Sequence, residues 1–554
     1  MNRYQKAIED WSNYLGEENV DTQNESVVDA ETATFKTVQK IPAIIYPKSK
    51  SQVQHCVRIA ARYKISIYPI SQGKNWGLGS RVPVQDNCVL FDLSRMTQIV
   101  DYDDELAYIT VEPGVTFIQA ANYLRKRNSR HFIAVTGGSP DASLIGNAME
   151  RGDGIGPLGD RFSHCCDMEI VLPSGDCIQT GYSRFPGAKV GNLTRWGIGP
   201  HLDGLFSQSN FGIVTRMSFW LQAHPGWFQS LVFTVRNMSQ LNLVIDNLNQ
   251  LQAQGVVKAN SVAVWNVYKM IASDRQYPWE ITSGQTPLPL EKIKRIKSPW
   301  GKSEWVGVGG IYSPSRRHAR ADRKIIKKML GSYTDRIFFI NEAKARVMGW
   351  MNRPLQWLTG TSLKDTIKAL YDESVFLGFP TEKSTRSTYW RKKFSLPRTM
   401  DPDKDRCGII WLCPVVPFMS NHLSRAIKIA QKTAEEFGFE PQIAFIFPSE
   451  RAVYMFPSIV YDRDVSGEDE KAIECHDKML NSFIMAGYYP YRLGIQSMAA
   501  LTGTNSHYDE LVSRIKNLLD PDSILSPGRY EFHASPIFQH PKRSADTERS
   551  NTCL

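Results

Sequence analysis

Residues 65–80, ISIYPISQGKNWGLGS, join a strand rich in β-branched and aromatic residues to a glycine-rich loop. The loop contains Gly73, Gly77 and Gly79, and glycine lets backbone N–H groups approach a ligand closely because it has no side chain. Successive N–H groups in such a loop can form a nest that binds an anion such as pyrophosphate. A plain turn is the alternative at this point, because glycine turns after strands are common.

Strand and helix signals alternate on both sides of this loop over residues 1–225. The segments VLFDL (89–93) and AYITVE (107–112) have the composition of strands. The segment MEIVLPSGDCIQTG (168–181) predicts a hairpin around Ser174-Gly175.

The later part of the chain has a different order of elements. Strand-like segments are separated by helical stripes, and a helix is expected from Ser466 to about Gly487. This order predicts an α+β unit in which helices cover an antiparallel sheet. Residues 270–400 are rich in Trp and Lys with weak periodicity, and no order of elements is predicted there. The predicted strands are SLVFTVR (230–236), GIIWLCPVV (408–416), IAFIFP (443–448) and VYMFPSIVY (453–461).

Length and composition restrict the class of protein. A chain of 554 residues predicts two to four domains. The net charge of +10 favours an anionic ligand or surface. Nine scattered cysteines without a C-x-x-C pair, and an N-terminus without an apolar leader, predict reduced thiols and a cytoplasmic location. We expect no metal site, because no cluster has zinc-ligand spacing, and no membrane span, because no apolar run is long enough.

Two further patterns favour no separate function. Gly154-x-Gly156-x-x-Gly159 matches a dinucleotide fingerprint, but NAMERGD precedes it where a strand is needed and Pro157 lies inside it. The basic stretch 316–328 alternates with apolar residues and predicts an amphipathic helix with a solvated face rather than a nucleic-acid site.

Two more segments of small residues follow the glycine loop in order: SLIGNAMERG (143–152) and GLFSQSNFGIVT (204–215). With GKNWGLGS, the terminal DPDSILSPGR and Tyr491-Arg492, they resemble the vanillyl-alcohol oxidase / p-cresol methylhydroxylase flavoproteins, whose FAD domain is of the PCMH type. The likeness is greatest to the branch that oxidises 4-substituted phenols.

The resemblance implies a bilobal fold of the α+β class. It implies an FAD-binding domain from residues 1–225, a cap domain from 226–490 that closes over the flavin, and a C-terminal return to the FAD domain from 491–554. It places FAD on residues of the glycine loop, the Glu-Pro-Gly turn and the later motifs: Gly73, Lys74, Asn75, Gly77, Gly79, Ser80, Glu112, Gly114, Gly146, Asn147, Glu150, Ile213 and Arg529. A noncovalent flavin is favoured, and a tyrosyl link through Tyr454 is the alternative.

The resemblance also implies the chemistry. Flavin N5 takes a hydride from a carbon next to a group that stabilises the developing cation, and two tyrosines with an arginine hold a phenolate. Tyr491 and Arg492 match the second tyrosine and the arginine. Leu78 stands where the family has the first tyrosine. The family's acidic residue has no direct match, and Asp141 would fill its place only in a shifted register.

The sequence therefore predicts an FAD-linked oxidase or dehydrogenase acting on an alcohol, amine or benzylic-type carbon of a small molecule. Leu78 favours a bulkier or less acidic substrate than a simple 4-hydroxybenzyl compound. The reduced flavin would pass its electrons to oxygen or to a protein acceptor, and homodimer formation is left open. The alternative is a redox-silent protein that keeps the flavin fold for binding or for non-redox catalysis.

Overall fold

The computed structural model describes residues 2–293, 296, 303–342, 345, 374–501 and 506–531. Helices and mixed or antiparallel sheets are distributed over two lobes, which confirms the predicted α+β class. The last 15 or so residues, HPKRSADTERSNTCL, which the sequence predicts to be a frayed tail, lie outside the described residues.

A small mixed sheet begins the first lobe and presents the glycine loop. Its strand order is β1-β2-β4-β3, with β2 and β3 parallel to β4. Helix α3 starts at Ser49, whose Oγ accepts a hydrogen bond from the Gln52 backbone N–H at 3.3 Å. The elements are β1 (Val20–Asp21), β2 (Ile44–Ile45), β3 (Ile67–Ile70), β4 (Val89–Asp92), α1 (Arg3–Leu15), α2 (Asn24–Glu31) and α3 (Lys50–Tyr63).

A five-stranded antiparallel sheet continues the first lobe in the order β5-β6-β10-β8-β9. A short pair, β7 and β11, lies beside it. Short helices connect these strands and present the second and third small-residue segments. The elements are β5 (Ile99–Asp103), β6 (Tyr108–Val111), α4 (Phe117–Lys126), β7 (His131–Phe132), α5 (Leu144–Met149), β8 (Cys165–Val171), β9 (Cys177–Gln179), α6 (Asp203–Phe206), β10 (Ile213–Trp220) and β11 (Gln222–Ala223).

The second lobe is an eight-stranded antiparallel sheet with helices packed on it. Its strand order is β15-β12-β14-β13-β18-β19-β16, and β17 pairs with β19. The strands are β12 (Trp227–Val235), β13 (Val262–Asn266), β14 (Trp305–Ser313), β15 (Arg336–Ile340), β16 (Cys407–Trp411), β17 (Val415–Pro417), β18 (Gln442–Ile446) and β19 (Ala452–Asp462). The helices are α7 (Met238–Ala253), α8 (Val267–Asp274), α9 (Trp279–Thr282), α10 (Leu290–Ile293), α11 (Arg316–Leu330), α12 (Ser420–Glu436) and α13 (Glu468–Met485).

Three strands of this sheet, β13, β14 and β15, were not predicted from the sequence. Strand β14 contains Gly307, Gly309 and Gly310, which lower its strand propensity. The glycines are needed for packing, because a Cβ on Gly310 would lie 2.9 Å from Phe228 Cε2 and Phe376 Cβ. The glycines that this close packing needs therefore interrupt the side-chain pattern by which a strand is normally recognised.

The C-terminal segment returns to the first lobe after α14 (Ser506–Leu519). Ile67 at the start of β3 donates its N–H to Ile524 O at 2.7 Å and accepts one from Ser526 at 2.8 Å. Ile524 and Leu525 also join the apolar cluster that contains Phe91. The domain boundaries at 225/226 and 490/491 stay predictions.

Two patterns that were set aside have their expected structures. The Gly154–Gly159 segment follows helix α5 rather than a strand, unlike a dinucleotide fingerprint. The basic stretch forms α11, which buries Ala319, Ile326 and Leu330, so its amphipathic character is confirmed. Among the described residues, no helix has both the length and the apolar content needed to cross a membrane.

Candidate active site

A cavity of about 440 Å³ lies between the glycine loop and one face of the eight-stranded sheet. Side chains alternate between the two faces of a strand, so every second residue of a strand can line the same cavity. Strands β13, β18 and β19 follow this rule and contribute Ala263, Trp265, Ala444, Ile446 and Phe456 to the lining. The cavity therefore has one wall of loops and one wall of sheet.

The loop wall offers a row of backbone donors. In the described part of the chain, the N–H groups of Gly73, Lys74, Asn75 and Trp76 donate to no protein acceptor, whereas the next N–H, of Gly77, binds Thr34 Oγ1 at 2.8 Å. Four successive residues that line the cavity and have free N–H groups suit the oxygens of a pyrophosphate. The loop thus fits the phosphate-binding part of FAD.

Side chains beyond position 400 attach this loop to the second lobe. Asp403 accepts hydrogen bonds from Ser80 Oγ at 2.8 Å and from Trp76 Nε1 at 3.1 Å. Burial raises the pKa of Asp403 to about 7. Lys74 forms an ion pair with Asp401 at 3.3 Å. These two acidic residues were not predicted to belong to the site.

Gly77 and Gly79 serve close packing rather than the cavity. Both have positive φ angles, +79° and +119°. A Cβ on Gly77 would collide with the indole of Trp411, and one on Gly79 would lie 2.7 Å from Ile495 Cγ2. Trp411 also donates its N–H to Gly77 O at 3.1 Å. The missing side chains therefore let the second lobe and the C-terminal segment approach the loop.

The structure brings most of the predicted cofactor residues to the cavity, but not all of them. The nine that line it are Gly73, Lys74, Asn75, Ser80, Gly146, Asn147, Glu150, Ile213 and Arg529. Gly77, Gly79, Glu112, Gly114 and Tyr454 lie outside the lining. Glu112 accepts the Gln98 N–H at 2.9 Å, and a Cβ on Gly114 would collide with Ser94 O, so both hold a tight turn.

Glu150 connects three segments at the end of the cavity. It forms an ion pair with Arg529, lies 3.8 Å from Arg492 Nη2, and accepts a hydrogen bond from the Tyr530 hydroxyl at 3.2 Å. Arg492 Nη2 donates to Asn75 Oδ1 at 2.7 Å. The Arg492 guanidinium is thereby fixed next to the glycine loop.

Tyr491 lines the cavity within a group of aromatic side chains. Its ring stacks on Tyr454 at a centroid distance of 4.5 Å and meets the edge of Phe456 at 6.3 Å. Desolvation raises the pKa of Tyr491 above its ordinary value, and burial raises the pKa of Tyr454 to about 12. Tyr491 is therefore a neutral hydrogen-bonding group at neutral pH. Leu78, also in the lining, adds only apolar surface.

Asp141 and Asp153 differ in position. The side chain of Asp141 is exposed and does not line the cavity, so its position gives the predicted acidic role no support. Asp153 does line it, and its Oδ1 accepts the Asn260 Nδ2–H at 2.9 Å. Its Oδ2 is buried and forms no hydrogen bond within the described residues. Burial raises the pKa of Asp153 to about 7.

Asp153 and a second ionisable group in the lining, Lys269, were not predicted from the sequence. Asp153 directly precedes the Gly154–Gly159 segment, which matches a dinucleotide fingerprint and for which no separate function was predicted. Lys269 lies in the first turn of the short helix α8 after β13, where a lysine normally points to solvent. The sequence signal that could have indicated burial of Lys269 was its spacing from Ala272, because residues three apart share one face of a helix.

Comparisons with known proteins agree with this geometry. A model described as an FAD binding domain matches residues 41–181. The chain is 44% identical over 528 residues to 1'-carboxy-chondrochloren decarboxylase of Chondromyces crocatus, covering 95% of this chain and 97% of that one. It is 28% identical over 534 residues to the 4-cresol dehydrogenase [hydroxylating] flavoprotein subunit of Pseudomonas putida, covering 95% of each. A structure of p-cresol methylhydroxylase with substrate bound superposes with a TM-score of 0.85 at 26% identity, covering 96% of this chain and 97% of that one.

The fold, the cavity and these matches define an FAD-dependent flavoprotein enzyme. The chain belongs to the p-cresol methylhydroxylase family of flavoproteins, with a PCMH-type FAD-binding domain, as predicted.

Proposed function

We propose that this protein oxidises a small phenolic molecule at the carbon attached to its ring, with FAD as the acceptor. The observation that carries this proposal is the placement of Tyr491 and Arg492 in the cavity between the glycine loop and the sheet. The names of two relatives support it, because one is a 4-cresol dehydrogenase and the other is p-cresol methylhydroxylase with substrate bound. FAD bound in this cavity would supply a two-electron acceptor for a hydride.

The residues of this chain have separate tasks in the proposal. The Tyr491 hydroxyl hydrogen-bonds the phenolic oxygen, and the permanent charge of Arg492 stabilises the phenolate form of the substrate. Loss of a hydride leaves the ring short of electrons, and the phenolate compensates by donating into it. Asp153 accepts the phenolic proton, because its Oδ2 has no hydrogen-bond partner in the described chain and its pKa of about 7 suits a base at neutral pH.

A second candidate is the same oxidation coupled to loss of carbon dioxide. It is favoured by the 44% identity to a protein named as a decarboxylase of a carboxy compound. If the carboxylate is on the carbon next to the oxidised one, two electrons leave with the hydride. The electron pair of the broken C–C bond then forms the new double bond, carbon dioxide departs, and the ring becomes an aromatic phenolate again, which takes back its proton from Asp153.

We also infer that FAD is held without a covalent bond. Tyr454 lies outside the cavity lining and its ring is stacked on Tyr491. The expected result is a denatured protein band without ultraviolet fluorescence after acid treatment. A fluorescent band that is lost in Tyr454→Phe would contradict this inference.

Anaerobic mixing tests the oxidation. Holoprotein mixed with 4-ethylphenol or 3-(4-hydroxyphenyl)propionate is expected to lose its visible flavin absorbance, and Arg492→Lys should slow that loss. A flavin that stays oxidised with every 4-alkylphenol and every 4-hydroxyphenylalkanoate would favour the redox-silent alternative.

A further inference from the structure

Lys269 is a buried lysine in the sheet wall of the cavity. It is 5% exposed and lies in the first turn of α8. The side chain of Asn266 accepts the Lys269 backbone N–H at 3.1 Å and so fixes the start of that helix. The ammonium group is therefore held at the cavity by a rigid element.

The surroundings of Lys269 satisfy only part of its ammonium group. Nζ donates to Ser387 Oγ at 2.8 Å, and the Ser387 hydroxyl in turn donates to Ser384 O at 2.8 Å. Nζ also lies 4.8 Å from the ring centre of Trp411. An ammonium has three N–H bonds, and in the described part of the chain Ser387 is the one hydrogen-bond acceptor that Nζ reaches.

Two other buried lysines show what this environment lacks. Lys392 contacts Asp462 at 2.5 Å and Asp464 at 2.6 Å, and Lys516 contacts Asp520 at 2.6 Å. Lys269 forms no ion pair with any residue that the structure describes. Burying an unpaired charge is unfavourable, and burial alone lowers the pKa of Lys269 to about 7.

Lys269 and the proposed phenol-binding residues belong to one cavity. A series of aromatic side chains joins them. The ring centroids of Trp411 and Phe456 are 6.4 Å apart, and those of Phe456 and Tyr491 are 6.3 Å apart. A molecule whose ring lies at Tyr491 can therefore extend along aromatic surface toward Lys269. We propose that Lys269 binds a carboxylate on the side chain of the phenolic substrate, an inference that rests on the proposed function.

The charge and the wall both favour a carboxylate over a phosphate. One ammonium matches one negative charge, whereas a phosphate dianion would leave a charge without a partner in an apolar wall. The two remaining N–H donors can reach the two oxygens of a carboxylate, and such charge-assisted hydrogen bonds are stronger than neutral ones. A bound anion also favours the charged form of Lys269, so binding above neutral pH takes up a proton.

The experiment uses two ligands that cannot be oxidised at a benzylic sp³ carbon: 4-hydroxycinnamate and its primary amide. Calorimetry of the holoprotein at about pH 8, in two buffers of different ionisation enthalpy, gives affinity and proton uptake together. We expect the carboxylate to bind about tenfold to a hundredfold more tightly than the amide, with proton uptake. Equal affinities for the carboxylate and the amide would overturn the assignment even if no variant folds.

Two variants localise the effect. In Lys269→Met the preference for the carboxylate should disappear while the affinity for the amide stays unchanged. The matched control is Lys393→Met, which removes an exposed lysine that lies over Trp279 at 5.0 Å, outside the cavity lining, and should keep the preference. Survival of the preference in Lys269→Met would overturn the proposal.

The same preparations separate this proposal from the proposed function. Flavin bleaching by 3-(4-hydroxyphenyl)propionate in a protein without the carboxylate preference would overturn the role of Lys269 alone. The carboxylate preference without bleaching by any phenol would overturn the oxidation alone.

Discussion

The two walls of the cavity are built on opposite principles. The loop wall uses backbone N–H groups from consecutive residues, Gly73 to Trp76. The sheet wall uses side chains from strands and helices far apart in the sequence, such as Trp265, Lys269 and Phe456. Because the N–H groups of the loop wall come from one short segment, we assign this wall to the cofactor that the family shares. The sheet wall can change one side chain at a time, and we assign it to the substrate.

Replacing Asp153 is the strongest test of the division between a cofactor wall and a substrate wall. Asp153 directly follows the second small-residue segment, but its side chain accepts a hydrogen bond from Asn260 of the second lobe. We expect Asp153→Asn to slow substrate oxidation by about a thousandfold, since a positioned base contributes about 10²–10⁴. The base must be ionised, so wild-type activity should rise with pH through about 7, and the variant should lose this rise. Stopped-flow flavin reduction across pH measures both effects.

Asp160→Asn is the control for that experiment, because Asp160 pairs with Asp153 across an isolated bridge but has an exposed side chain. It should keep the rise of activity with pH, moved toward lower pH because the charge of Asp160 helps to raise the pKa of Asp153. An unchanged profile in Asp153→Asn would assign the proton to another group.

Gly77→Ala tests the contact between the two walls. The new Cβ meets Trp411 and the residue keeps a positive φ, so we expect a loss of about 3 kcal/mol in the free energy of unfolding and release of FAD. Denaturant unfolding and the ratio of flavin to protein measure these changes.

Gly187→Ala separates backbone strain from collision. Gly187 has φ +76° with nothing within 4 Å of an added Cβ. The Gly187→Ala variant should lose only about 1 kcal/mol in the free energy of unfolding and should keep its flavin. Equal losses in the two variants would mean that the contact with Trp411 is unimportant.

Asp403 gives the attachment of the loop a dependence on pH. Its pKa is about 7 in the folded protein and about 4 in an unfolded chain. Folding therefore favours the protonated form, and the stability that Asp403 contributes is present below about pH 4 and lost as the pH rises through about 7. Raising the pH from about 4 to about 7 should therefore lower the free energy of unfolding of Asp403→Asn less than that of wild type. The two decreases should differ by about 1 kcal/mol or more.

Thermal unfolding at several pH values checks this, with Asp401→Asn as the control because it removes the neighbouring ion pair with Lys74. Parallel stability curves for wild type and Asp403→Asn would exclude Asp403 as the origin of the dependence.

Leu78→Tyr has the smallest expected effect and concerns substrate alone. A second tyrosine in the lining can add one hydrogen bond to a phenol, worth about 1 kcal/mol or a fivefold gain in affinity. Titration with 4-ethylphenol measures it, and Leu78→Phe provides the ring without the hydroxyl. An equal gain in both variants would attribute it to packing.

Sequence could predict the loop wall because its chemistry is local. Glycines at 73, 77 and 79 identify the nest, although two of the three serve contacts with Trp411 and Ile495 rather than the cavity. Strands β18 and β19 of the sheet wall were predicted, but the residues that line the cavity there were not, because pairing across β13, β18 and β19 brings together residues separated by almost 200 positions. Lys269 and Asp153 look like solvated residues until that pairing is known, whereas Asp141 looked suitable and is exposed.

The return of the C-terminal segment has a consequence for synthesis of the chain. Strand β3 lies at the edge of its sheet, and its partner residues at 524–526 are made only after the entire second lobe. Until then the edge beside the glycine loop is uncovered, and uncovered strand edges promote aggregation. Premature termination before Ile524 should therefore produce insoluble chains, so the last segment acts as protection for the first sheet as well as a site for Arg529.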